Sequence, residues 1–87
     1  MENQSLTPTE HTIAKLWEEL IGHTDPITSD TDFFEIGGNS LIAIQLLSRI
    51  DDLFGQDVLP PDILFSMSRL NQIASVIDQA VKERTVN

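Results

Sequence analysis

The chain contains no cysteine, few basic residues and no long apolar run. Without cysteine it can form neither a disulfide framework nor a thiolate zinc site, and it has no cysteine nucleophile. No run of roughly 18 apolar residues is available to span a membrane, and the first four residues have neither the basic start nor the apolar stretch of a secretory signal. We therefore expect a cytoplasmic protein.

The scarcity of basic residues leaves a strong negative charge. Lysine and arginine number 5 against 14 aspartates and glutamates in 87 residues, a net charge of −9. That charge repels phosphate backbones and anionic lipids, so we expect neither nucleic acid nor a membrane as partner, and a basic protein surface fits better. Residues 25–62 alone carry −7, with −3 before them and +1 after them. The length suits one small domain, expected to be a monomer in isolation, without a large substrate cavity.

The first helix signal follows a short polar lead. Thr7-Pro8-Thr9-Glu10 has the form of a capping box with proline at the first helical position. Apolar residues then recur at the period of one helical face as far as Ile21, and Gly22 is a typical C-terminal stop. The pattern predicts a helix over about residues 8–21, with Trp17 in the core rather than on a ligand-binding surface.

Residues 23–39 have no sustained period and are predicted to form a long loop, a feature that is often functional in a small domain. Four large apolar side chains should pin this loop to the core: Ile27, Phe33, Phe34 and Ile36. Asp30-Thr31-Asp32 is reminiscent of a calcium loop, but the glycine and the terminal glutamate of an EF-hand are missing at the required offsets. We therefore interpret these carboxylates as turn-forming or solvated and expect no metal.

A second helix is predicted from about Ser40 to Phe54, ending before Gly55. Projected at 100° per residue, one arc of about 140° holds most of its apolar side chains and should face the core. The residues on this arc are Ile42, Ala43, Leu46, Leu47, Ile50, Leu53 and Phe54. Leu41 and Ile44 fall on the polar side instead, three residues apart, and should form an exposed apolar spot beside Ser40.

The remainder of the chain predicts one short and one long helix. The prolines before Ile63 permit only a helical turn or two starting at Pro61, and Ser68 has the position of the next N-cap, for a helix over about residues 69–83. We therefore predict an all-α fold, a small bundle of three long helices and one short one, with a long loop between helices 1 and 2. The domain should cover residues 8–83, between a flexible lead at 1–7 and a flexible tail at 84–87.

Few residues are available for catalysis. The segment Gly38-Asn39-Ser40-Leu41-Ile42 lacks the second glycine of a G-x-S-x-G nucleophile elbow, and His11 and His23 lie near the two ends of the first helix. Neither of the glycine motifs that cradle phosphates, G-x-G-x-x-G and the P-loop, is present. A hydrolase is therefore disfavoured, and we expect no catalytic residues.

The segment does bring a serine to the start of a helix. Gly37 and Gly38 leave an unobstructed approach to Ser40, and Asn39 can cap the helix with its own side chain, which would leave the Ser40 hydroxyl unused. Free amides and the positive end of the helix dipole would then favour a phosphate attached to the serine. The alternative is that Ser40 is itself the N-cap and the glycines form an ordinary turn.

A longer string carries a family resemblance. Asp32-Phe33-Phe34-Glu35-Ile36-Gly37-Gly38-Asn39-Ser40-Leu41, followed by Leu46-Leu47-Ser48-Arg49-Ile50, strongly resembles the phosphopantetheine attachment region of carrier domains from nonribosomal peptide and polyketide synthases. The resemblance extends over about residues 8–83 and implies an acyl-carrier-like helical bundle. It implies that Ser40 accepts 4'-phosphopantetheine of coenzyme A from a phosphopantetheinyl transferase. Gly38, Asn39 and Leu41 would be the flanking motif residues.

The resemblance also implies a function without catalysis. Such a domain holds an acyl or peptidyl chain as a thioester on its arm and carries it between synthase domains of the adenylation, condensation, ketosynthase, acyltransferase or thioesterase type. Leu41 and Ile44 become candidate partner contacts, and Leu59 and Ile63 become weaker candidates in the third helix, although core packing is the favoured interpretation of Ile63.

The loaded chain is not determined by the motif. The absence of acidic residues directly after Ser40 resembles a module-embedded carrier, and the glycine pair resembles peptidyl carriers, although polyketide carriers can share it. A different class of function stays open at this point, namely an unmodified helical interaction module that binds a partner through Leu41 and Ile44.

Overall fold

A computed structural model describes residues 6–85 of the chain. It contains four helices: α1 (Pro8–Ile21), α2 (Ser40–Phe54), α3 (Pro61–Ser66) and α4 (Leu70–Thr85). The only strand-like pairing among these residues is an isolated bridge between Asp32 and Arg69. Within residues 6–85, no helix is long and apolar enough to cross a membrane. The prediction of an all-α bundle with one short helix is confirmed.

Local signals determine both ends of α1. The Thr7 hydroxyl accepts a hydrogen bond from the Glu10 amide at 3.1 Å, and the Glu10 carboxylate accepts one from the Thr7 amide at 2.9 Å, which completes the predicted capping box. At the other end, Gly22 adopts a left-handed conformation with φ of 78° and donates its amide to the Glu18 carbonyl at 2.9 Å. The predicted helix over residues 8–21 is confirmed to the residue.

The core forms where α1 packs against α2 and α4. It takes side chains from all four helices and from the loop before α2, and Trp17 is completely buried in it, as predicted. The largest side chains with no more than 1% exposure are Trp17, Phe33, Ile13, Leu46, Ile50, Leu64, Leu70, Ile73, Ile77 and Val58. The four loop residues predicted to pin residues 23–39 all contribute, because Phe33 is buried and Ile27, Phe34 and Ile36 pack against the core.

The start of α4 is held by the long loop as well as by the Arg69 amide, which donates to Gln72 Oε1 at 3.2 Å. The amides of its first two residues donate to the carbonyl oxygens of Thr31 and Ser29, each at 2.9 Å. These tertiary bonds satisfy donors that a capping side chain would otherwise serve. The prediction that Ser68 is the N-cap is therefore wrong, and the Ser68 hydroxyl donates instead to Asp32 Oδ2 at 2.8 Å.

Two apolar residues lie elsewhere than predicted. Leu53, assigned to the buried arc of α2, is 58% exposed, because helical phase gives the direction of a side chain but burial also needs an element that covers that turn. Leu59, considered a partner contact in α3, is only 3% exposed and precedes that helix. It belongs to the core and not to a docking surface.

The predicted domain ends also need adjustment. Leu6 packs against the core and Thr7 caps α1, so these two residues of the predicted lead are structured. Helix α4 continues to Thr85, which places residues 84 and 85 in the helix rather than in the tail. The rest of the predicted lead and tail, residues 1–5 and 86–87, lies outside the described residues.

Candidate functional site

Ser40 is the exposed first residue of α2, and it does not cap that helix. Asn39 has an extended backbone, and its Oδ1 accepts a hydrogen bond from the Ile42 amide at 2.9 Å. Its carbonyl accepts the first intrahelical bond, from Ala43 at 2.8 Å. Asn39 is therefore the N-cap, as predicted, and the interpretation of Ser40 as an N-cap is wrong. The Ser40 hydroxyl is left available for chemistry.

The two glycines let the chain turn tightly against the core just before this serine. Gly37 has a φ of 116°, a conformation that L side chains rarely adopt. The Gly38 amide donates to the Phe33 carbonyl at 3.0 Å, and a Cβ at Gly38 would lie 2.6 Å from both that carbonyl oxygen and a ring carbon of Phe33. Only a residue without a side chain fits between Asn39 and Phe33. The turn is thus pressed onto a buried aromatic ring, which positions the start of α2.

A row of aromatic rings connects this turn to the surface of α3. Phe33 packs at 5.6 Å from Trp17 and at 5.0 Å from Phe34, and Phe34 stacks on Phe65 at 5.7 Å between ring centroids. Phe65 ends the row with 47% of its surface exposed. The sequence pattern did not single out Phe65. A usable signal was the run Ile63-Leu64-Phe65, since three successive residues of a helix cannot all face one core.

The apolar spot beside Ser40 exists as predicted. Leu41 is 67% exposed and Ile44 is 63% exposed. Ile63 is half-buried and packs against the core, so the core interpretation fits it better than a free surface role. Of the four residues considered as partner contacts, Leu41 and Ile44 lie on the surface next to the serine.

The electrostatic setting of Ser40 suits a phosphate ester. The first turn of α2 contains no acidic residue, and the side-chain cap serves only the Ile42 amide. Among residues 6–85, the amides of Ser40 and Leu41 donate to no protein acceptor, so they and the positive end of the helix dipole face solvent. An oxyanion on Ser40 could accept from them.

The described residues offer no competing chemistry at this place. No group of three histidine, aspartate or glutamate side chains between residues 6 and 85 could hold a metal ion. Asp32 accepts from the amides of Phe34 and Glu35 at 2.8 and 3.4 Å, in the turn-forming role expected of it. In the same part of the chain, no hydrogen bond joins either imidazole to Ser40.

Four helices with an exposed, non-capping serine at the start of α2 are the arrangement expected of a carrier protein, a class that works through a prosthetic group attached to a serine. The sequence matches the family described as "Phosphopantetheine attachment site" over residues 11–77. The chain belongs to this family.

Its curated relatives are multienzyme synthases. A linear gramicidin synthase of Brevibacillus parabrevis is 38% identical over 79 residues, which cover 91% of this chain. The hybrid PKS-NRPS synthetase mpsA of Macrophomina phaseolina is 39% identical over 77 residues, which cover 87% of this chain. The chain spans only 2% of the length of each of these relatives. It therefore corresponds to one small domain of either protein.

Solved structures show the same fold. A chain in the complex of the phosphopantetheine transferase Sfp with coenzyme A and a peptidyl carrier protein superposes with a TM-score of 0.79 and 24% identity, over 87% of this chain and 96% of that one. The PaxA T1-CDD/PaxB NDD docking complex of the Pax NRPS gives a TM-score of 0.80 and 29% identity, over 98% of this chain and 81% of that one. The chain is thus a non-catalytic carrier domain whose prosthetic group is 4'-phosphopantetheine, and an unmodified interaction module is not favoured.

Proposed function

We propose that Ser40 is the residue to which 4'-phosphopantetheine is attached. The observation that carries this proposal is the hydrogen bond from the Ile42 amide to Asn39 Oδ1, because it caps α2 and leaves the exposed Ser40 hydroxyl unused. Two further features support it. The Ser40 and Leu41 amides can donate hydrogen bonds to the anionic oxygens of the phosphodiester, and Gly38 lets the turn before Ser40 pack directly against Phe33.

The attachment is the transfer of a phosphopantetheinyl group from coenzyme A to a serine hydroxyl. Ser40 Oγ attacks the phosphorus that bears the pantetheine half of coenzyme A, a new P–O bond forms, and the pyrophosphate bridge breaks. Adenosine 3',5'-bisphosphate leaves, and the hydroxyl proton passes to a base on the transferase. Among the described residues of the carrier no imidazole is hydrogen-bonded to Ser40, and we assign the base to the transferase.

What this chain contributes is presentation of the oxygen. Ser40 stands at the first position of a helix whose start is fixed by Asn39 and by the contact of Gly38 with Phe33. Once attached, the arm supplies the thiol that the sequence lacks and that holds an acyl or peptidyl chain as a thioester. An arm rooted on an exposed helix start can swing toward several partners without moving the core.

Partner enzymes would dock beside the arm, on the apolar surface of Leu41 and Ile44. We assign this surface to the phosphopantetheinyl transferase and to synthase domains that load, extend or release the chain. The charge of −7 in residues 25–62 surrounds Ser40 in sequence and favours partners with basic rims. The same charge argues against nucleic acid and membrane partners, and a cytoplasmic synthase is the setting that we infer.

Within the family we favour a peptidyl carrier embedded in a module. Gly37 and Gly38 before Asn39-Ser40 are the feature that favours the peptide type, and the lack of acidic residues in the first turn of α2 favours the embedded type. The domain would comprise residues 6–85, from the contact of Leu6 with the core to the end of α4. Loading the phosphopantetheinylated protein with aminoacyl and with malonyl donors by its native neighbouring domains separates the two types. Exclusive malonyl loading would contradict the peptidyl assignment.

The attachment itself is tested by intact mass. The protein incubated with coenzyme A and a broad-specificity transferase should gain the mass of one phosphopantetheinyl group, and Ser40→Ala should gain none while retaining its helical circular dichroism, since Asn39 still caps α2. Ser48→Ala is the matched control, because Ser48 is an exposed serine on the same helix. A folded wild-type protein without mass gain, or a modified Ser40→Ala variant, would refute the assignment.

A further inference from the structure

Asp32 and Ser68 join two segments that are far apart in the sequence. The Ser68 hydroxyl donates to Asp32 Oδ2 at 2.8 Å, across 36 residues of chain. The other oxygen of the carboxylate accepts from the Phe34 amide at 2.8 Å. Beside this pair, the Phe33 amide donates to the Ser68 carbonyl at 2.9 Å. The loop before α2 is thereby fastened to the junction of α3 and α4.

The fastened loop residues are the ones that locate Ser40. Phe33 lies between the pair and the serine, because its carbonyl accepts the Gly38 amide at 3.0 Å and its ring closes on the Gly38 Cα. Asn39, the cap of α2, follows directly, so a displacement of Phe33 is passed on to Ser40 through only a few bonds.

The same pair also locates α3. That helix ends at Ser66, close before Ser68, and its exposed Phe65 stacks on Phe34, whose amide is bound to Asp32. The Ser68 hydroxyl is free for this contact because the first amides of α4 are satisfied by loop carbonyls. Both side chains are partly buried, and a hydrogen bond to a carboxylate in that setting is stronger than one between neutral groups.

We propose that Asp32 and Ser68 form a positioning pair, which holds the Ser40 turn and α3 in the relative arrangement that a phosphopantetheinyl transferase recognises. The proposal rests on attachment at Ser40. Neither residue touches the reacting atoms. If the pair is broken, only a fraction of the molecules presents the arrangement that binds, and the apparent affinity falls by that fraction. The effect should therefore appear in KM and not in kcat.

Steady-state modification of Ser68→Ala by a broad-specificity transferase tests this inference. We expect KM for the carrier to rise at least about tenfold, from the loss of one charge-assisted hydrogen bond, with kcat within about twofold of wild type. Ser68→Thr keeps the hydroxyl and should restore KM. Ser75→Ala is the matched control, because Ser75 is an exposed serine on α4, outside the Ser40 turn and α3, and it should leave KM unchanged.

Amide hydrogen exchange supplies a readout that does not depend on the enzyme. In Ser68→Ala, exchange should accelerate at Phe33 and Gly38 but not at Leu46, in the middle of α2. Unchanged KM and exchange would overturn the proposal. So would uniform acceleration with no rescue by Ser68→Thr, which is the signature of general destabilisation.

Two further outcomes are distinguishable. If Ser68→Ala does not fold, Asp32→Asn carries the same measurements, since its amide oxygen can still accept from Phe34 while the charge-assisted bond is lost. A wild-type protein that is not modified refutes attachment at Ser40. A wild-type protein that is modified no better than Ser68→Ala refutes the positioning pair alone.

Discussion

Replacing Gly38 by alanine is the sharpest test of how the site is held. The added Cβ would lie 2.6 Å from the Phe33 carbonyl oxygen and 2.6 and 2.7 Å from two carbons of its ring, whereas ordinary contacts begin at 3.4 Å. The overlap involves backbone as well as side chain. Phe33 is completely buried and packed between Trp17 and Phe34, so it has no room to withdraw. The turn that carries Ser40 has to move instead.

Overpacking of this kind costs about 2 to 3 kcal/mol, because atoms on both sides are close-packed. For a domain of this size the corresponding fall in Tm is on the order of 10 to 20 °C. Urea unfolding followed by circular dichroism measures the free energy, and intact-mass time courses with coenzyme A and a transferase measure the modification rate. The free energy of unfolding and the modification rate should both decrease. The rate should be lower even at temperatures where the variant is folded, because Ser40 is displaced.

Gly22→Ala is the control that separates the effect of displacing Ser40 from the effect of lower stability. Gly22 has a φ of 78° and no atom within 4 Å of its added Cβ, so the variant should lose about 1 to 2 kcal/mol from backbone strain alone. Its modification rate should equal that of wild type below its Tm. A Gly38→Ala variant within about 0.5 kcal/mol of wild type, or one modified at the normal rate, would refute the argument that Phe33 positions the turn.

Two substitutions on α2 test the separation of its faces. Ile44→Asp should leave the free energy of unfolding within about 0.5 kcal/mol, because Ile44 is 63% exposed, but should slow modification by the transferase. A large fall in Tm would show that Ile44 packs against the protein, and a normal modification rate would show that Ile44 does not contact the transferase. Leu46→Ala, two residues further on and fully buried, should lose about 2 to 5 kcal/mol in urea unfolding, and a loss below about 1 kcal/mol would contradict its place in the core.

The sequence was sufficient to predict those features that depend on residues close together in the chain. The capping box at Thr7 and the stop at Gly22 were readable, because each involves residues no more than four apart, whereas the sequence left open whether Asn39 or Ser40 caps α2. The exposure of Leu41 and Ile44 followed from helical phase. The structure decided between the two possible caps, Asn39 and Ser40, and showed that the Ser40 hydroxyl is unused.

Tertiary contacts decided the remainder. Leu53 has the phase of a buried residue but lies exposed, and Leu59, beside two prolines, is buried. Ser68 has the position of an N-cap but binds Asp32 instead.

The sequence by itself thus determined the helices, the class of domain and the serine that it presents. Only the tertiary structure decided what holds that serine in place: the contact of Gly38 with the Phe33 ring and the bond between Asp32 and Ser68. Periodicity and capping describe neighbours along one helix. A hydrogen bond across 36 residues depends on how separate elements pack, and it leaves no periodic signal in the chain.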